Sequence, residues 1–131
     1  MKLLSILSTL IFLMLTITVM GQTDESKPYY YNIPESPETY GPGNVMGRMI
    51  DGLGFRYFWA TEGLRPEDLA YRPTEEARSS YETLEHLYGL SDMIKNTAQN
   101  KPNVRPTPDK EWTYETLRAA TLQNIEAAQK A

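Results

Sequence analysis

The chain has no cysteine and one histidine, His86, among its 131 residues. Without cysteine there is no disulfide framework, no thiol nucleophile and no thiolate metal ligand. There is also no acceptor for a lipoprotein acyl chain. A lone imidazole cannot hold a metal tightly, because such sites draw on three or more protein ligands. The chain also lacks a glycine-rich phosphate loop, a nucleophile elbow and an H-E-x-x-H motif. No segment alternates cleanly enough for a strand, and there is no internal repeat. The formal net charge is -4, with no cluster of Lys and Arg. A nucleic-acid partner is therefore not expected.

The first residues read as a targeting segment. Lys2 precedes an apolar run from Leu3 to Val19, and Val19-Met20-Gly21 places small residues before Gln22. This is the layout of a secretory signal peptide over residues 1–21, and it predicts an exported, periplasmic or extracellular protein with no stable membrane anchor once cleaved. The competing reading is a retained transmembrane anchor. The run is short for that role, about 17–25 apolar residues being needed to span a bilayer, and no basic cluster follows it. Cleavage after Gly21 would leave about 110 residues, enough for one modest core. Losing Lys2 would make the formal charge one unit more negative.

Residues 22–43 are rich in proline and tyrosine, with Tyr29-Tyr30-Tyr31 and Pro34, Pro37 and Pro42. Proline at this density predicts an extended arm leading into the domain. The sharper alternative is an arm that lays its tyrosines over a groove. A first helix is expected from Asn44, as N-cap, to Thr61. Its Val45, Met46, Met49, Ile50, Leu53, Tyr57 and Phe58 recur at spacings of three and four as one apolar stripe. Gly47, Gly52 and Gly54 read as sites of close backbone approach. Arg48, Asp51 and Arg56 read as a solvated face. Pro66 suits the start of a short helical turn, with Leu64, Leu69 and Tyr71 covering the end of the core. Ser79 and Glu82 form a capping box for a second helix, on which Leu84, Leu87, Tyr88, Ser91, Ile94 and Ala98 share a face. Glu85 and Asp92 are expected in solvent. After a proline-bearing break, Trp112 and Leu117 staple a third helix that begins at Thr113 and continues through Thr121, Leu122, Ile125 and Ala128. Short loops between amphipathic helices predict an all-α, antiparallel helical bundle. The absence of a stop signal at Ala131 suggests a bundle cut short.

Three segments carry a resemblance: Phe58-Trp59-Ala60-Thr61-Glu62-Gly63-Leu64, then Pro66 to Pro73, then Ala77 to Leu90. In order and spacing the region 44–131 resembles the DinB/YfiT-like superfamily of four-helix bundles. The resemblance implies a four-helix bundle lacking its C-terminal helix. It also implies a divalent metal, of the zinc, nickel or manganese kind, held by three histidines. One of these lies early on the second helix, where His86 stands. The other two form an H-x-x-x-H pair on a last helix, and this chain has no counterpart for them. Family activities on small-molecule substrates, namely thiol-cofactor-dependent transfer, isomerisation and metal-assisted hydrolysis, follow from the resemblance alone.

His86 thus has two readings, a half-buried histidine bonded to a neighbour and one ligand of an incomplete metal site. Glu82 could add a carboxylate, but its cap competes for it. Met46 and Met49 read as core fill, and Trp59 and Trp112 as core or staple residues. Two functions remain open. One is an exported DinB-like protein of metal-dependent hydrolase or transferase lineage, incomplete or inactive as this chain. The other is a non-catalytic binding protein that associates, as a homodimer for example, through an open bundle face.

Overall fold

A computed structural model describes residues 27–104 and 112–131. The expected leader over 1–21 and the central part of the proline break lie outside the described residues. Among the described residues the protein is all-α. A 3-10 turn over Tyr29–Tyr31 precedes helices α1 (Pro42–Ala60), α2 (Pro66–Ala70), α3 (Ser80–Ala98) and α4 (Tyr114–Gln129). No helix among the described residues is long and apolar enough to cross a membrane.

Local sequence accounts for most helix ends. Ser79 accepts from the Glu82 amide while Glu82 reaches back to the Ser79 amide at 2.7 Å. Thr113 and Thr116 repeat that box at the start of α4. Trp112, just before it, packs on the core with Leu117, the residue its staple position selects. Pro66 opens α2, and Asp68 caps it by accepting from the Arg65 amide. Helix α1 starts three residues earlier than its cap signal predicts, because Pro42 presets a helical φ at the first position and Gly41 takes the cap place. Asn44 instead bonds back to Thr39. After α1, Gly63 adopts φ +67, a left-handed conformation that glycine enters without a Cβ clash.

Helix α4 is the centre of the packing. It lies against both α1 and α3, which do not pack extensively on each other. Leu117 and Thr121 are its most buried side chains, joined in the core by Ile125, Tyr57, Phe58, Leu84 and Tyr30. Its start also closes the end of α1. Arg118 donates to the Phe58 carbonyl and the Thr61 hydroxyl, each at 3.0 Å, and lies over the Phe58 ring. Tyr114 donates to the Thr61 carbonyl. These bonds satisfy carbonyls that a helix end leaves without intrahelical partners.

The all-antiparallel order does not form. The N-terminal part of α4 meets the end of α1, so those two run antiparallel. Against α3 the order is the reverse: Tyr81 donates to the Trp112 carbonyl, and Lys95 donates to Asn124 at 2.8 Å. Early pairs with early and late with late, so α3 and α4 run parallel. The end of α3 and the start of α4 therefore lie at opposite ends of the domain, a separation that a short bundle loop does not span.

A buried polar network fixes the α3–α4 register. Asn124 donates to Ser91 at 3.2 Å, Lys95 bridges Asp92 at 2.6 Å and Asn124, and Asn96 donates to Asp92 at 3.0 Å. Asp92 is thus drawn into the interface, and the expectation of a solvated residue fails. Half-buried charge persists there because each member has a partner.

Tyr71, expected to cover the core, is instead largely exposed. Leu117→Ala should lower unfolding free energy by about 2–5 kcal/mol. Tyr71→Ala should stay within about 0.5 kcal/mol of the parent, the range of ordinary surface changes. Urea denaturation followed by circular dichroism measures both.

Candidate functional site

The apolar stripe of α1 is the main departure from the sequence reading. Met46, Met49 and Leu53 are 57%, 63% and 42% exposed, and the buried positions of α1 are Asp51, Gly54, Tyr57 and Phe58. The two sets lie on adjoining sides of one helix. The Tyr30 ring fits against Gly54, and the side of α1 that carries Asp51, Gly54, Tyr57 and Phe58 turns inward, away from Met46, Met49 and Leu53. Met46 and Met49 are therefore not core fill. Trp59 is also 45% exposed, with its Nε1 donating to the Tyr31 carbonyl at 3.2 Å.

Helix α3 shows a matching uncovered side. Leu90, Met93 and Ile94 are exposed, and Ala98 at the end of the expected core face is exposed as well. Between these two helices runs a groove of about 530 Å³. Met46 and Ile50 form one wall, Met93 and Ile94 the other, and Ala128 of α4 lies at its base. Gln129 and Thr97 supply its few polar atoms. Its size falls in the range of about 300–1,000 Å³ common for binding clefts.

His86 stands on α3 one and two turns before Leu90 and Met93, on the same uncovered side. It is exposed, so the half-buried histidine bonded to a neighbour does not form. Among the described residues no three His, Cys, Asp or Glu side chains are grouped to hold a metal ion. Glu82 is committed elsewhere: it caps α3 and pairs with Arg72 at 2.8 Å, and Arg72 holds its carboxyl below the usual range.

A second cluster was not legible as a site. Asp51, expected in solvent, is 2% exposed, and its Oδ1 has no partner. Burial raises its carboxyl above the ordinary range, with Arg48 opposing. Tyr30 is equally buried, and its hydroxyl also lacks a partner. Its ring lies against Gly54 so closely that a Cβ there would sit 2.4 Å from ring carbons. Burial, then the Asp51 charge, pushes the Tyr30 phenol well up. The arm thus lays a tyrosine into a notch, as its sharper reading expects. Asp51 was obscured because Arg48, Asp51 and Arg56 look like one charged face, and nothing local signals which side meets α4.

Comparison with models of known protein families, with curated proteins and with solved structures finds no match to this chain.

The sign of the Asp51 effect is set by its raised carboxyl. A folded value above the unfolded one makes ionisation destabilising. The penalty is full above the folded value and disappears as pH falls to the unfolded value of about 3.9. Asp51→Asn should therefore raise the urea midpoint at neutral pH and lose that advantage near pH ~4. A midpoint difference independent of pH would contradict the assignment.

Proposed function

We propose that this protein is an exported helical association module of DinB-like lineage that works through the open face between α1 and α3, and that the occupant of this face is a second copy of the chain. The observation that carries this reading is the uncharged, apolar groove with a row of half-exposed large side chains on either side. Met46, Met49 and Leu53 stand on one helix and Leu90, Met93 and Ile94 on the other. Together they expose an area of the order of the ~300–600 Å² patches that mark interaction sites.

Two features favour an identical partner. The row of α1 from Met46 to Leu53 is a ridge beside a groove, so a two-fold axis can seat each copy's ridge in the other's groove. Met46, Ile50, Met93 and Ile94, which line the groove, are all uncharged, so the groove walls set no like charges against each other when two copies meet. Methionine enrichment and charge depletion are the compositional marks of an interface core.

A metal-dependent hydrolase or transferase is the second reading, and one observation favours keeping it. His86 lies on this same open side, so it would meet whatever covers the face. The remaining ligands would have to come from that covering element, since an open catalytic site needs about three protein ligands.

Sedimentation of the purified chain separates these readings. The wild type should run as a dimer. Met93→Glu should weaken association at least about tenfold, equivalent to 1.4 kcal/mol, with unchanged helical content. Tyr40→Glu, off the face, should leave it intact. A wild type that stays monomeric at every concentration would refute self-association. For the metal reading, zinc, nickel and manganese are measured in wild type and His86→Ala after identical loading. Wild type should retain metal that the variant loses; equal content in both would remove His86 as a ligand.

A further inference from the structure

The buried Asp51 and the tyrosine arm meet at one place, and neither is used by the open face. The arm is held to the helices by separate contacts. Tyr30 fills the Gly54 notch. Trp59 donates to the Tyr31 carbonyl at 3.2 Å, and its ring lies 5.1 Å from that of Tyr31. Arg48 donates to the Pro34 carbonyl. Tyr29 donates to Gln129 at 3.4 Å, and the Lys130 ammonium lies over its ring. Against these holds stand two buried oxygens without partners, the Tyr30 hydroxyl and Oδ1 of Asp51, and the second belongs to a carboxyl that can take a charge.

We infer that the arm over 28–34 is a strap, latched by Tyr30 in the Gly54 notch, that is released when Asp51 ionises. A neutral carboxyl is tolerated in a buried site, whereas a buried carboxylate without a partner is costly. Hydration of Asp51 requires something covering it to move. The 3-10 turn and its extended flanks are the weakest cover, since α1 and α4 are held by the core and by Arg118.

The charged groups around Asp51 set the direction. Burial raises its carboxyl, and Arg48, one turn earlier on α1, lowers it. Arg48 is shared with the arm through Pro34, so it does not neutralise Asp51 alone. On α4, Glu126 and Lys130 pair with each other. On the arm, Tyr29 and Tyr30 are raised by burial and by Asp51, so both stay uncharged well past neutrality. Arm and helices thus enclose one carboxyl, that of Asp51, whose ionisation burial displaces to higher pH. The strap is closed at acidic pH and opens as pH rises through the value Asp51 holds in place, because opening returns that carboxyl to water.

Trp59 reports on the strap directly. In the full chain carrying Trp112→Phe, so that Trp59 is the sole indole, emission and acrylamide quenching are followed from about pH 4 to about pH 8. The expected result is a red shift and stronger quenching as pH rises, with helical content constant by circular dichroism. Asp51→Asn in that background should stay in the closed signal throughout. Gly54→Ala should show the open signal at every pH, because its Cβ displaces the Tyr30 ring. A flat wild-type response, or the wild-type pH curve in Asp51→Asn, would overturn the switch. A closed signal in a helical Gly54→Ala would overturn the latch, and that result does not depend on the aspartate variant.

Discussion

The structure depends on α4 lying between two helices that barely meet. Burial stabilises a helix through its apolar side, and only α4 offers that side to both neighbours. Leu117, Thr121 and Ile125 therefore carry the shared core. Tyr114 and Arg118 at its start tie down the carbonyl end of α1, and Asn124 near its end sets the register of α3. With α1 and α3 held apart, the space between them becomes the groove. The same constraint makes the core and leaves the open face.

Two treatments of buried polarity coexist around this helix. On the α3 side, Ser91, Asp92, Lys95 and Asn124 satisfy one another and specify one register among those that apolar packing would allow. On the α1 side, Asp51 and Tyr30 are buried without partners, and the Tyr57 hydroxyl beside Thr121 reaches none at bonding distance. The first arrangement rigidifies the domain. The second stores instability under its least anchored segment. The open face and the arm also share a boundary, for Gln129 lines the groove and accepts from Tyr29.

The parts of the fold legible in sequence are those with short-range causes. The box at Ser79, the helix start at Thr113 and the turn at Pro66 form where they read, because such signals need only residues a few positions apart. The close approach at Gly54 is also legible as a possibility, since a missing Cβ has one obvious use. The stripe of α1 misleads because periodicity marks an apolar side without naming what covers it. Met46, Met49 and Leu53 satisfy the helical pattern as well as any core residues, yet they border open space. The candidate site was legible only in pieces: His86 by its rarity, the arm by its tyrosines. Asp51 was hidden by charged neighbours that end up on different sides of the packing.

By itself the sequence determined that this is a helical protein without disulfides, where α3 and α4 begin, and that one imidazole stands early on α3. These follow from residue chemistry and local spacing. Only the tertiary structure decided that α3 runs parallel to α4, that Met46, Met49 and Leu53 of α1 stay uncovered, and that Asp51 is enclosed. The physical reason is that helix direction and the choice of buried side are settled between elements. They depend on which side chains interlock with Leu117, Thr121 and Asn124, and no single helix carries that information.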